Sequence, residues 1–596
     1  MPEKLMALRD AMAQNGLDAY IVLGRDAHQS EYVAEYWRTR QWLSGFTGSN
    51  GLVAVTKYDA GLWTDGRYFI QAEKELAGSG IRLFKMNEPE VPTYSKWLAD
   101  NLPSSLNEAA VGFDGRCMSV LEFEAIKNAL YDEKGKKISY FYDEDIAGAL
   151  WENRPPLPAA SIFAFDLSFA GKTSAEKLED IRSQMKKKCA DSYLATALDD
   201  VAWACNIRGG DIQCTPVAYA YLLITMDAAY LFIDERKVSA CMRKHLSDFV
   251  IRPYEDIFDF AFKKSLLYVP SSTSVKLFDA IPKNIKTIAG PSIIEGLKAV
   301  KNEVEIENLH NAFLKEGVVM VKFLKWLAKQ SDTKLPDETE IQNKISGLRK
   351  SQKHCLGDSF TTIAAYGKNA AIIHYAPTRE NCSRPRPEGF LLIDTGGQYL
   401  DGTTDITRTI VMGPVTGEMK RDFTLVLKGH IALAGAKFLK GTVGTHLDML
   451  ARQHVLKAGM DYKHGTGHGI GFCLGVHEGP HNISTRYNNH KLLPGMLCSN
   501  EPGIYKEGRY GIRIENVMLV KELERNEYGT FLGFELVSFC PIDVRALDLS
   551  LLTGWEINWL NDYHNKVYKK LSPLLTEEER RYLKCFCTAL PCGYHA

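Results

Sequence analysis

IDTGGQYLDGTTDITRT, residues 393–409, is the stretch from which the architecture of the C-terminal half is read. Asp394 closes an apolar run, Gly396, Gly397 and Gly402 supply turns, and Asp405 opens the next strand-like run. The eleven positions from Asp394 to Asp405 therefore predict a hairpin that returns the second carboxylate beside the first. Two adjacent carboxylates repel each other unless a cation lies between them. A turn role is enough to explain Asp401, and it explains Asp394 equally well until further ligands are counted.

Those ligands follow downstream. HGTGHGIG, residues 464–471, sets His464 and His468 four apart, but glycines at 465, 467, 469 and 471 argue against a helix and for close backbone approach. VHEGP brings His477, and His481 lies just beyond; of these histidines only one is expected to be a ligand. SNEPGIY and GIRIEN then supply Glu501 and Glu515. Alternation in GIRIEN puts Arg513 and Glu515 on one strand face, where Arg513 can hold a ligand carboxylate in place; a surface salt bridge is the plainer alternative. Asp394, Asp405, His468, Glu501 and Glu515 together carry more negative charge than one divalent ion needs. The set suits a pair of hard cations sharing oxygens, and points to hydrolysis by a metal-activated water.

Around this segment the chain alternates strand-like runs (GFLLID, TRTIVM, NVMLV) with helical ones (419–438 and 445–458), an α/β or α+β pattern. It opens near Lys301 with an amphipathic helix carrying Ile306, Leu309, Phe313, Met320, Leu324 and Leu327 on one face, with Glu303, Glu305, Glu307, Lys315 and Lys322 on the rest. From about Leu549 the chain reads as helix, with Trp555, Trp559 and Leu560 facing inward. The first 300 residues repeat one plan, helix then DAYIVL, Trp42, LVAVT and GLWTD, against helix then DSYLATAL, Trp203, YAYLLIT and AYLFID. A duplicated α/β domain is the simplest account. Arg154-Pro155-Pro156-Leu157-Pro158 marks the join, since prolines stiffen a linker and interrupt regular structure. The expected division is 1–156, 157–300, 301–540 and a helical extension over 541–596.

Composition bounds the partners. The 72 basic and 73 acidic side chains leave a net charge of −1 over 596 residues, which gives no electrostatic reason to expect nucleic acid or an anionic membrane. The N-terminal stretch lacks the apolar core of a secretion signal, and nowhere do eighteen apolar residues run together, so a cytoplasmic protein is expected. Thirteen cysteines without a repeating spacing fit reduced thiols. Cys473 and Cys498 read as packing residues, and Cys585, Cys587 and Cys592 form an incomplete ligand set.

Taken in order, SGFTGSNG and LWTDGRYFIQA, then TALDDVAWACNIRGGDI, then YGKNAAIIHYAP, DGTTDITRT, HGTGHGIG, VHEGP, SNEPG and GIRIEN resemble the metal-dependent aminopeptidases and prolidases of the pita-bread fold, and within them the three-domain cytosolic Xaa-Pro aminopeptidases. The resemblance covers nearly the whole chain. It implies two tandem creatinase-like N-terminal α/β domains before a pita-bread catalytic domain. It further implies that Asp394, Asp405, His468, Glu501 and Glu515 ligate two metal ions, with Asp405 and Glu515 bridging. Manganese is the expected metal, with zinc or cobalt as alternatives. A water or hydroxide between the ions attacks the carbonyl before proline, Glu501 accepts its proton, and His374, His464 and His477 surround the scissile bond. The substrates implied are peptides with N-terminal Xaa-Pro. The N-terminal domains are expected to narrow the entrance and to support a homodimer.

Two rivals stand beside this reading. A prolidase of the same fold would use the same ligands on Xaa-Pro dipeptides. A catalytically inert peptide-binding scaffold would keep the fold alone, although five intact ligands argue against it, because buried unpaired carboxylates are costly.

Overall fold

The computed structural model describes residues 2–102, 108–134, 137–261, 266–330 and 334–591, so Cys592 of the tail cluster lies outside the described residues. The chain forms two compact units, one of residues 1–166 and 172–297, the other of residues 167–171 and 298–596.

The first unit holds two six-stranded sheets. In the first are β1 (Ala19–Leu23), β2 (Leu52–Thr56), β3 (Ala60–Thr64), β4 (Arg82–Lys85), β5 (Glu108–Phe113) and β6 (Lys137–Phe141), in the order β4-β3-β2-β1-β5-β6. Helix α1 (Pro2–Gln14) lays Leu5, Leu8 and Met12 into a core with Tyr20, Val22, Val53 and Leu62. Strands β1 to β3 are buried at every position, which is why they read as continuous apolar runs rather than as alternation. The second sheet holds β7 (Ser192–Ala195), β8 (Ala220–Thr225), β9 (Ala229–Ile233), β10 (Val250–Arg252), β11 (Leu266–Pro270) and β12 (Lys286–Gly290). Its order, β10-β9-β8-β7-β11-β12, repeats that of the first. In each sheet the three central strands pair antiparallel and the outer ones parallel, so the repeat seen in sequence is a repeat of topology. Helix α2 (Ser174–Lys187) enters the second sheet behind a capping box of Thr173 and Glu176.

In the second unit helix α3 (Glu303–Ala328) is capped by Asn302 and Glu305. It departs from the one-faced helix expected: Glu305 is buried in its cap, and Ala312, Glu316, Val318, Val319, Val321 and Phe323 are buried as well. Its middle is enclosed on all sides, and Lys315, expected in solvent, pairs with Asp401. Helix α4 (Glu338–Lys350) follows, and Arg349 near its end is fully buried. Strands β13 (Ile363–Tyr366), β14 (Phe390–Thr395) and β15 (Ile406–Val411) form an antiparallel sheet. Helices α5 (Gly417–Ala434) and α6 (Gly444–Lys457) precede β16 (Gly467–Gly469), β17 (Glu478–Ile483), β18 (Leu497–Asn500), β19 (Gly503–Lys506), β20 (Tyr510–Arg513), β21 (Asn516–Asn526) and β22 (Gly529–Leu536). The helix expected over 419–438 ends at Ala434, because Lys437–Leu439 pairs as an edge strand with β22. Helix α7 (Gly554–Leu571) buries Leu560, Tyr563, Val567 and Leu571 in a core shared with Phe423, Val426, Ile512 and Ile514. Trp555 is a correction to the inward-facing set: in the first turn of α7 it is 57% exposed. Only Leu560 is buried outright, while Trp559 packs on the core edge and stacks on Tyr563.

Candidate metal centre

Antiparallel pairing of β14 with β15 puts Asp394 opposite Thr407, so Asp394 and Asp405 return to one end of the sheet, as the hairpin requires. A buried ion pair fixes that end. Arg349 donates to both oxygens of Glu316, at 2.7 and 3.1 Å, and to Thr395 Oγ1 at 2.6 Å, while Thr404 Oγ1 donates to Glu316 at 3.3 Å. Thr395 follows Asp394 and Thr404 precedes Asp405, so each aspartate is held through its chain neighbour. Glu515 joins the same strand twice: its N–H donates to Thr407 O at 3.1 Å and its Oε2 accepts from Thr407 Oγ1 at 2.7 Å.

His468 lies in the middle of β16. A side chain on Gly467 would place its Cβ 2.0 Å from Ser499 O, and one on Gly469 would meet Glu478 O at 2.2 Å. Only glycine permits this approach, which explains the spacing of HGTGHGIG. Ser499 Oγ accepts the His468 N–H at 3.0 Å, and the Glu501 N–H donates to Thr466 O at 2.9 Å, tying both residues to one framework. His468 Nδ1 donates to Gly469 O at 2.8 Å, which leaves Nε2 as the nitrogen that can face a metal.

The ligand atoms of Asp405, His468 and Glu515 all lie within 4.8 Å of one another. His468 Nε2 is 3.5 Å from Asp405 Oδ2 and 3.5 Å from Glu501 Oε1. Asp394 Oδ2 accepts from Arg513 Nη2 at 2.6 Å. The second oxygens of three acids, Asp394 Oδ1, Asp405 Oδ1 and Glu515 Oε1, are buried without a hydrogen-bond partner. Burial first, then the neighbouring carboxylates, push Asp405 and Glu501 well above the usual carboxylate range and Glu515 up to about 8. Arg513 opposes the rise but supplies one charge against four acids. An excess of buried acid, with unpartnered oxygens beside an imidazole lone pair, fits a pair of divalent cations.

The remaining histidines are placed unequally. The His477 ring stands edge-on to His468 with centroids 4.3 Å apart, and His374 lies 6.5 Å from His477 in near-parallel orientation. Glu478, beside His477, is buried between Lys298, at 3.0 Å, and Lys301. His464 Nδ1 is 3.9 Å from Glu501 Oε2 and its Nε2 is 2.8 Å from the Tyr505 hydroxyl. His481 is not brought to the centre, for its ring bonds to Leu497 O at 2.7 Å. Arg513 is 1% exposed, so the surface salt bridge is not what forms; it reaches Asp394 and also donates to Tyr505 at 2.7 Å. Tyr505 thus completes a line His464–Tyr505–Arg513–Asp394 that sequence reasoning missed. Its only signal was its place in SNEPGIY, four residues after Glu501. Cys473 and Cys498 are buried, and burial pushes the Cys498 thiol up to about 12, in keeping with packing residues.

Comparison with known proteins agrees with this geometry. Residues 4–144 and 153–305 each match a creatinase/prolidase N-terminal domain, residues 296–522 match metallopeptidase family M24, and residues 530–590 match the C-terminal region of that peptidase. Aminopeptidase P2 of Arabidopsis thaliana is 40% identical over 96% of this chain and 86% of its own length. The solved X-prolyl aminopeptidase of Caenorhabditis elegans, a cytosolic enzyme with a di-nuclear active site, superposes with a TM-score of 0.94 at 34% identity over 99% of both chains. An Xaa-Pro dipeptidase from Bacillus anthracis reaches a TM-score of 0.51 at 25% identity and covers 62% of this chain and 99% of its own.

Proposed function

The chain belongs to the Xaa-Pro aminopeptidases of metallopeptidase family M24, and from that premise we propose how its own residues release the first residue of a peptide with proline in second position. Asp394, Asp405, His468, Glu501 and Glu515 are the residues that would hold two divalent metal ions. The ions, when bound, polarise the scissile carbonyl and lower the pKa of the attacking water. Glu501, whose Oε1 lies 3.5 Å from His468 Nε2, would accept a proton from the attacking water. His374, His464 and His477 orient the peptide around the scissile bond and stabilise charge developing on its carbonyl oxygen. Arg513 fixes the orientation of Asp394, and Tyr505 links Arg513 to His464. The Xaa-Pro bond is a tertiary amide without an N–H, so this arrangement needs no acceptor for an amide proton.

The observation that carries the reading is the clustering of Asp405 and Glu515, each with a buried, unpartnered carboxylate oxygen, about the His468 imidazole. Oxygen-rich ligation supports manganese in both positions over zinc or cobalt. A cytoplasmic location draws support from the cytosolic nematode enzyme; no helix among the described residues is long and apolar enough to cross a membrane. We further propose a homodimer, and a division of the chain near residues 156, 300 and 540. Incubating manganese-loaded protein with Arg-Pro-Pro and with Gly-Pro tests the activity. Release of arginine from the tripeptide is expected. Cleavage of Gly-Pro alone would make the protein a dipeptidase, and inertness toward both would leave a peptide-binding scaffold.

A further inference from the structure

His374 lies within the long connection between β13 and β14, and the carboxylate that gathers this connection plays no part in the chemistry above. Glu338 opens α4, yet its side chain turns inward and is 0% exposed. Its Oε1 accepts the Tyr366 N–H at 2.6 Å and Asn369 Nδ2 at 3.1 Å. Its Oε2 accepts the Ser383 N–H at 2.6 Å, the Tyr375 hydroxyl at 2.8 Å and Asn369 Nδ2 at 2.9 Å. In return its own N–H donates to Ser383 O at 3.1 Å. Every one of these donors is neutral. A buried carboxylate without a cation beside it is tolerated only when its lone pairs are filled, so Glu338 is satisfied only while residues 366, 369, 375 and 383 stay together.

Those positions bracket His374. Residue 366 ends β13 before the connection, residue 383 lies beyond His374 within it, and Tyr375 is the next residue in the chain. The Tyr375 hydroxyl also lies 3.0 Å from Asn381 Oδ1, which accepts the Thr378 N–H at 2.7 Å, so the turn after His374 is organised about the same oxygen. On the other side Arg513 Nη2 reaches Ile373 O at 3.4 Å, and Gly511 presses against Ala370 so closely that an added Cβ would meet Ala370 O at 1.8 Å. The backbone of His374 is thereby set between the strand that carries Arg513 and the carboxylate of Glu338.

We propose that Glu338 is a positioning residue, whose carboxylate gathers residues 366–383 and so sets where the His374 imidazole meets the substrate. The inference rests on the assignment of His374 to the site made above. A double-mutant cycle separates the two. Glu338→Gln turns an amide toward donors that need an acceptor, whereas Tyr375→Phe removes only the one hydroxyl that Glu338 accepts from the residue after His374 and keeps the rest of the hub. Each is expected to lower kcat/KM for Arg-Pro-Pro on the order of tenfold to a hundredfold in otherwise intact protein, and by no more than about threefold when His374 is already alanine. Bound metal is expected to be unchanged, and hydrogen exchange at residues 366–383 to accelerate. A loss of the same size in both backgrounds would make Glu338 merely structural, and undiminished kcat/KM in both single variants would also overturn the proposal. Full activity of His374→Ala would instead remove His374 from the site, whatever Glu338 does. Should Glu338→Gln fail to fold, Tyr375→Phe decides by the same criteria.

Discussion

Glu515 is the residue whose environment conflicts most plainly with its ordinary chemistry. With its pKa pushed up to about 8 by burial and by Asp394, it keeps its proton at neutral pH in the metal-free protein. A ligating carboxylate must be ionised, so metal binding has to expel that proton. Titration calorimetry at pH 7 in buffers of different ionisation enthalpy is expected to show a buffer-dependent heat corresponding to about one proton or more released. Apparent affinity should fall as pH drops from 8 to 6. Heats identical in all buffers would mean that the acids are ionised before the metal arrives. Arg513 works on the same site from behind, spanning Asp394 and Tyr505 with two nitrogens of one planar group. Arg513→Lys keeps the charge but cannot make both bonds, and a loss of metal affinity of about 10–100-fold is expected by equilibrium dialysis. Unchanged affinity would reduce Arg513 to a packing residue. The ligand candidates were legible as residue types because carboxylates beside glycines in apolar runs have few other uses. Tyr505 and Glu338 were not, since a tyrosine in a strand and a glutamate in a helix first turn look ordinary until their distant partners are known.

At the scale of elements, the site depends on short strands that approach closer than side chains allow. β16 carries His468 and β18 leads into Glu501, and Gly467 is where the two backbones meet. Gly467→Ala forces an added methyl against Ser499 O, with a cost of about 1–3 kcal/mol as in other overpacked interiors. Because the strain falls between His468 and Glu501, metal affinity should drop along with stability. Gly417→Ala, in the first turn of α5 where an added Cβ meets nothing within 4 Å, should cost less and leave metal binding alone. Equal metal affinity in both variants would refute the close-approach account. The 394–405 hairpin was legible because its turn residues and its two aspartates sit within one local stretch, where spacing alone sets register. The surroundings of α3 were not. Val318, Val319, Val321 and Phe323 add burial outside the predicted stripe because α4, the β14–β15 sheet and the C-terminal helices close over it, and sequence periodicity records only the stripe. Lys437 and Phe438 read as helix in sequence for a related reason, since an edge strand is defined by its partner, here β22.

Across the whole molecule, the duplicated sheets were legible because strands buried on both faces read as uninterrupted apolar runs, and two such series at similar spacing announce the repeat without any long-range contact. The polar groups that lock each unit were hidden, and among them are histidines held neutral by burial. His28 stacks on Tyr221 and bonds to Thr196 O at 2.6 Å and Tyr254 at 2.8 Å in the first unit. His430, His481 and His564 are buried in the second. Desolvation pulls His28, His481 and His564 down to about 4 and His430 to about 3, from an ordinary 6.5. A folded pKa below the unfolded value means that the unfolded chain binds protons first as pH falls. The stability these groups confer is therefore complete above about 6.5 and is lost as pH descends toward 4. At pH 5 each group forfeits about 2 kcal/mol, an order-of-magnitude figure. His28 is the cleanest to test, because it lies in the unit without the metal ligands. His28→Gln should be less stable than the parent at pH 7.5 through its lost hydrogen bonds. Because glutamine does not titrate, that deficit should shrink by about 2 kcal/mol on going to pH 5, measured by urea unfolding of the first unit's transition. Parallel stability curves for parent and variant between pH 7.5 and 5 would show that His28 titrates alike in the folded and unfolded chain, and would remove burial of neutral histidine as a cause of acid lability.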